Sequence, residues 1–461
     1  IEAGGPEGAR RFSEEVLGVL FTVPLVLTIA MELAMPLLVR TVIAPGFVGN
    51  AAKFELTVRL AIVMFPYLGC MSLGAMMSGI LNSLHRFFAA AIAPVFLNVI
   101  LMAVLFMAIL RGYSPVAAGQ AMAWGVLVAG IVQLLIVTIA VRHAGLAIGF
   151  RRPRMTPAVW RLLALAAPAA ITGGITQINL VIGQVIASGK PGAISVLQYA
   201  DRVYQLPLGV VGIAIGVVLL PELARALKSG HLVEAGSIQN RSVEFALFLT
   251  LPAAAGLLAI SEDIVRVLYE RGAFTPQTTH TVGGVLAIFG IGLPAFVLIK
   301  GFTPGFFARE DTRTPMRFAM ISVGVNIALA VTLFPLIHER GIATAEATSG
   351  WINATLLFVT LLRRGHWGRD DGLVWRIPRL VFSAAAMGVA LHYGARALSD
   401  QLRPDSPILH QAAALGILIA GGAVVYFALA FGTGGADPGM IRRNLARGSR
   451  RAAPLPAADG E

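Results

Sequence analysis

The sequence predicts an all-α fold, a polytopic helical membrane protein. Three observations predict it. The 461 residues are 57% hydrophobic and only 13% charged, with a mean hydropathy of +0.78, which is more apolar surface than a soluble domain hides. About twelve apolar stretches are each long enough for an α-helix to cross a bilayer, roughly 20 residues. The runs are continuous and do not alternate, which excludes a bacterial-type β-barrel.

In chain order the spans are expected near 16–42, 57–82, 89–110, 117–141, 160–187, 195–220, 241–261, 277–300, 317–337, 342–362, 378–396 and 408–432. Residues 1–15 are polar or small (Glu2, Gly4, Pro6, Glu7, Arg10, Arg11). They read as a connecting loop that follows a missing beginning, not as a signal peptide or a first span. Pro66, Pro94, Pro168, Pro207, Pro252 and Pro294 fall within or near the ends of spans, where neighbouring helices can satisfy the carbonyls that a kink frees. The single cysteine, Cys70, lies in an apolar run and permits no intrachain disulfide. The basic, Pro-containing link 142–159 separates two helical lobes. The expected domains are 1–145, 146–365, an extra helical pair in 366–432, and a basic tail, 433–461, expected to be disordered and close to anionic headgroups.

The net charge of +12 does not call for nucleic acid, because most Lys and Arg sit in short loops. One set of loops and span ends holds, among others, Arg10, Arg11, Arg86, Arg142, Arg151, Arg152, Arg154, Arg161, Arg225, Lys228, Arg309, Arg313, Arg363 and Arg364, with Arg442, Arg443 and Arg447 in the tail. The alternate set holds fewer, among them Arg40, Lys53, Arg111, Lys190, Arg266, Arg271 and Arg403. The ratio of roughly 2.4 to 1 makes the first set cytoplasmic, and with it both chain ends. The bias is strong from Arg142 onward and weak before it.

The main charged interruption of an apolar span is the run from Ser195 to Gln205, with Asp201 and Arg202 inside it. Ser195, Gln198, Arg202 and Gln205 recur at helical spacing and share one face. Asp201 points somewhat aside, placed to hold Arg202. Two readings fit. Charge inside a membrane helix marks a functional cavity by default, here an anion-binding arginine. The plainer reading is an Asp–Arg pair in interfacial water at the external helix end. Gly173, Gln177 and Gln184 suit a second cavity wall or interhelical hydrogen bonding. Glu32, within the first span, is a candidate coupling carboxylate, without an identifiable partner. Glu346 reads as a first-turn acid favoured by the helix dipole. Lys300 ends the eighth span, and the aromatic and charged stretch after it suits a headgroup-level gate or an interfacial anchor. No Walker loop or metal-site spacing of histidine and cysteine occurs, so neither ATP hydrolysis nor a metal or other cofactor is expected, and the chain does not read as an enzyme.

Several strings together carry a resemblance. They are Ala44-Pro45-Gly46-Phe47; Gly79-Ile80-Leu81-Asn82 with Arg86-Phe87; Ala93-Pro94-Val95-Phe96-Leu97-Asn98; Tyr199-Ala200-Asp201-Arg202 with Leu206-Pro207 and Gly209; Leu219-Leu220-Pro221; and Lys300 to Pro315. In this order, over nearly the whole chain, they resemble the MurJ/MviN family of lipid II flippases, in the superfamily that also holds multidrug antiporters and polysaccharide-precursor exporters. The resemblance implies fourteen helices, two six-helix lobes in a V shape plus two C-terminal helices. About twelve are recognisable here, with the first two missing. It implies that Arg202 and Ser195 match central-cavity positions, that Asp201 belongs to the same string, and that Gln205 stands where some relatives carry an acid. The implied partner is lipid II, the polyprenyl-diphosphate-linked peptidoglycan precursor, with membrane lipids around it and cell-wall synthesis proteins as further candidates. The implied location is the bacterial inner membrane, and the implied role is peptidoglycan and cell-wall biogenesis. The rival readings are a drug or small-solute antiporter that would use Glu32, and a non-transporting cell-wall scaffold. A membrane-embedded glycosyltransferase lacks a convincing metal-binding Asp pair.

Overall fold

The structure is a computed structural model, and it describes residues 5–145, 180–368 and 371–436 together with isolated positions between 149 and 177. The described residues are helical with short turns, and the chain divides into two compact units, Ile1–Gly189 and Lys190–Glu461. Among the described residues, nine helices are long and apolar enough to cross a membrane. The expected fifth span and the lobe boundary at 145/146 fall largely outside the described residues, as does the tail from residue 437 on.

The first unit starts with α1 (Gly5–Leu38). Residues 5–15, expected as a loop, extend this helix instead. Pro6 sits in its first turn, where a missing N–H costs nothing. The helix runs into a π-helical turn, Val39–Ile43, and a 3-10 turn, Pro45–Phe47. Next come α2 (Ala51–Met64), α3 (Tyr67–Ser83), α4 (Phe88–Ile92), α5 (Val95–Leu110) and α6 (Pro115–His143). Pro66 and Pro94 act as breaks: each separates two helices that the sequence reads as one span. The α6 helix packs on α2, α3 and α5. At Gly130 a β-carbon would meet the Tyr67 ring at 2.6 Å, so glycine lets α6 approach that ring.

Gly46 explains the first signature string. Its N–H donates to Ser188 Oγ at 3.0 Å, and a β-carbon there would lie 2.2 Å from the Ser188 carbonyl oxygen. The turn after α1 is thereby seated on the end of the helical segment that carries Ser188. Two carboxylates tie α1 to the link that follows α6. Glu14 accepts from the Gly149 N–H at 3.1 Å, and Glu15 accepts from the Thr156 hydroxyl at 3.0 Å.

The second unit contains α7 (Ala193–Lys228), α8 (Leu232–Ala259), the short α9 (Ser261–Tyr269), α10 (Pro276–Phe307), α11 (Arg313–Ile337), α12 (Glu339–Arg363), α13 (Asp371–Ala397) and α14 (Ile408–Gly432). Its axis is α10, which packs on α7, α8, α9 and α12. Small residues bring α10 and α12 together, since a β-carbon on Gly292 would touch Ala347 at 3.1 Å. Pro207, Pro252 and Pro294 remain inside continuous helices. The expected end of the eighth span at Lys300 is corrected: α10 continues to Phe307. Phe302 and Phe306, one turn apart, both find core, with Phe302 stacked on Phe358 at 5.5 Å and against Trp367 at 5.6 Å. The loop proper is Ala308 to Thr312, closed by Asp311, which accepts from Arg364 at 2.6 Å and from the Thr314 hydroxyl at 2.6 Å. Those bonds hold the Asp311 carboxyl at about 2, below the ordinary carboxylate range.

The C-terminal helices α13 and α14 pack on each other, and both pack on α8. The buried Tyr426 hydroxyl donates to the Phe248 carbonyl at 2.8 Å. Arg376 Nη1 donates to both oxygens of Glu244 at 3.1 and 3.0 Å, and the Glu244 side chain is only 1% exposed.

Candidate functional site

Two long helices of the second unit, α7 and α12, build the candidate site. They carry Asp201 and Arg202, and Glu346, within their length. The α7 helix buries one face through Val196, Ala200, Val203 and Tyr204, which join Leu286, Phe289 and Leu293 of α10 and Ala343 of α12 in one core cluster. Burial of that face leaves Ser195, Gln198, Arg202 and Gln205 exposed together on the other. The helical repeat that groups these four in the sequence is the one the packing uses.

The Asp201–Arg202 pair is not formed. Successive helical residues point about 100° apart and do not face each other. Asp201 accepts from Gln205 Nε2, one turn along the helix. Among the described residues Arg202 makes no ion pair or hydrogen bond, so its five N–H donors are open to a ligand. A guanidinium in this state suits bidentate binding of a phosphate or carboxylate.

Glu346 also departs from expectation. The α12 helix begins at Glu339, so the first-turn acid is Glu339, and its carboxylate pairs with Lys190 Nζ at 3.0 Å. Glu346 lies deeper in the helix, with its carboxylate within electrostatic reach of Asp201 and of the Tyr204 phenol. That phenol is on a side chain only 4% exposed, and its hydroxyl has no hydrogen-bond partner among the described residues. Sequence spacing gives no hint of this cluster, because its members come from two helices far apart in the chain.

Ring contacts beside Arg202 likewise join residues far apart in the chain. Tyr199, in the same string as Arg202, packs on Tyr269 at 5.0 Å and on Phe274 at 5.2 Å. The remaining sequence candidates belong to the first unit. Glu32 is partly buried on α1 in the first unit and has no hydrogen-bond or ion-pair partner among the described residues. Gln177 and Gln184 are exposed, while Gly173 and Thr176 lie outside the described residues. Among the described residues no group of three or more His, Cys, Asp or Glu is placed to hold a metal ion.

A family model described as lipid II flippase MurJ matches residues 2–407. The chain belongs to the lipid II flippase MurJ family. This family member is 64% identical over 460 residues to a probable lipid II flippase MurJ of Rhizobium meliloti, covering 100% of this chain and 86% of the relative. It is 34% identical to a probable lipid II flippase MurJ of Rickettsia prowazekii, covering 92% and 83%. Among solved structures, its fold is similar to a lipid II flippase MurJ in an inward closed conformation, with a TM-score of 0.75, 22% identity, and coverage of 97% of this chain and 87% of that one. It also resembles an inward-facing multidrug resistance MATE family transporter, with a TM-score of 0.64, 16% identity, and coverage of 77% and 82%. The two structural likenesses establish the fold, an all-α polytopic one. Family membership places it in the bacterial inner membrane.

Proposed function

We propose that this chain is a lipid II flippase, and that Arg202 binds the diphosphate of the lipid-linked peptidoglycan precursor as its headgroup passes from the inner to the outer leaflet. Family membership supports the activity, while the unpaired Arg202 guanidinium on a polar helical face carries the assignment of the site. The headgroup is large, polar and anionic, and cannot enter hydrocarbon unaided. A cavity opened to one side and then to the other moves the head while the prenyl tail stays in lipid, and rocking of two helical lobes is the usual way to achieve this. The expected lobes are 1–145 and 146–365, with 366–432 as an added helical pair. Ser195 and Gln198 supply neutral donors and acceptors beside the guanidinium. Helix rotation and the Gln205 amide together keep the Asp201 carboxylate turned from the guanidinium, so that Arg202 is not neutralised by its neighbour. Glu32 remains the candidate coupling carboxylate of the first unit.

Outward movement of negative charge runs with an inside-negative potential, worth about 2.3 kcal/mol per charge per 100 mV. With the arginine-rich loops and tail inside the cell, the C-terminus is cytoplasmic. Cell-wall synthesis proteins are candidate partners, because the product is their substrate. The family membership does not favour the drug-antiporter or scaffold readings. The test is complementation of flippase depletion by the full-length gene with and without Arg202→Ala. Wild type is expected to restore growth and the alanine variant to fail at equal membrane abundance. Rescue by the variant removes Arg202 from the site.

A further inference from the structure

Beside Arg202 stands a group of side chains that diphosphate binding does not use. Tyr199 on α7, Tyr269 at the end of α9 and Phe274 in the following loop pack mutually, at 5.0, 5.2 and 5.9 Å between ring centroids. Tyr199 is 39% exposed. Its phenol and that of Tyr269 have no hydrogen-bond partner among the described residues. Arg202 lies one turn further along α7, about 4.5 Å along the axis, and the Tyr269 phenol is within electrostatic reach of its guanidinium. Ser195 and Gln198 flank Tyr199 on the same exposed face, and neither side chain makes a hydrogen bond among the described residues.

An aromatic belt at the membrane surface would explain the exposed Tyr199, and packing on the core the half-buried Tyr269 and Phe274, but neither explains why the rings meet beside a face that carries a hydroxyl, an amide and a guanidinium, all open. A prenyl chain would not select such a face, since it would strand three polar groups. A cationic drug would suit the rings but not the adjacent Arg202. A pyranose suits all of them. Its C–H face packs on the electron-rich face of a ring, and its hydroxyl rim takes neutral donors and acceptors. In the proposed substrate the first sugar is joined directly to the diphosphate, so a diphosphate held at Arg202 brings that sugar to Tyr199.

We propose that Tyr199, Tyr269 and Phe274 form a carbohydrate-binding shelf, with Ser195 and Gln198 as its polar partners, that receives the sugars of the headgroup while Arg202 holds the diphosphate. The inference rests on the transport reading above and adds a specificity subsite to it.

The test compares two ligands that share the same tail and diphosphate: lipid II, and the polyprenyl diphosphate without sugars. Binding is measured on the full chain in nanodiscs. Wild type is expected to prefer lipid II. Tyr199→Ala should weaken lipid II binding about two- to twelvefold, the range of one aromatic contact, and leave the sugarless ligand unchanged. Tyr199→Phe should keep most of the preference, and Tyr269→Ala, on the other element, should reproduce the loss. Arg202→Ala should weaken both ligands. Equal weakening of both ligands by the tyrosine variants, or no weakening, overturns the shelf and leaves the flippase reading standing. Wild-type protein that binds neither ligand overturns both.

Discussion

Between Asp201 and Arg202 the helix turns by about 100°, and that rotation decides which of the two charges is free. Asp201 points toward the turn that carries Gln205 and engages its amide, while Arg202 projects from the exposed face. Gln205 therefore acts on the anion site through Asp201. Gln205→Ala is expected to weaken diphosphate binding about fivefold. It releases a carboxylate beside the guanidinium, and exposed charge interactions are worth up to about 1 kcal/mol. Titration of the purified protein with the polyprenyl diphosphate reads this directly; unchanged affinity would show that the Asp201–Gln205 bond is irrelevant to the site. Arg202→Lys separates charge from geometry. A lysine keeps the positive charge but loses the planar fork, so its affinity should fall between those of wild type and Arg202→Ala. Equality with wild type would rule out bidentate recognition.

Each unit owes its packing to a few close contacts between elements. The turn after α1 meets the backbone of Ser188 at Gly46 with no room for a side chain, and backbone cannot yield as a flexible side chain would. Gly46→Ala is expected to destabilise the first unit by about 1–3 kcal/mol, the usual range for overpacking. The readout is a lower unfolding midpoint in detergent, and an unchanged midpoint would mean that the turn moves freely. On the other unit, the contact from Arg376 Nη1 to both oxygens of the buried Glu244 ties α13 to α8. Removing one partner of a fully buried pair costs about 3–5 kcal/mol. The Arg376 side chain is 35% exposed, so Arg376→Ala should cost less, near 2 kcal/mol. Limited proteolysis between α12 and α13 is expected to speed up in that variant, and an unchanged rate would argue against the tie. At low pH the Asp311 tie to Arg364 and Thr314 weakens. A carboxyl held at about 2 contributes stability above its ordinary value near 3.9 and loses it as pH falls from about 4 toward 2.

For the whole molecule, the arrangement of arginines makes a topological claim that can be measured. In a Cys70→Ser background, a cysteine in place of Arg403 should react with a membrane-impermeant thiol reagent in intact cells, and one in place of Arg363 only after permeabilisation. The reverse pattern would invert the proposed orientation.

The helical, membrane-spanning class and the polar face of α7 were legible in the sequence, because both depend on the order of residues along one helix. Hydropathy over about 20 residues marks a span, and a repeat near 3.6 residues places Ser195, Gln198, Arg202 and Gln205 together. The family was legible too, through short strings such as the one around Gly46. What the sequence could not supply was anything that depends on a second helix or on where a helix begins. The start of α12 at Glu339, the approach of Glu346 to Asp201 and Tyr204, the continuation of α10 through Phe302 and Phe306, and the meeting of Tyr199 with Tyr269 and Phe274 were decided only by tertiary packing. Periodicity reports which residues share a face but not what that face meets, and neighbouring helices can satisfy or leave open the same polar group.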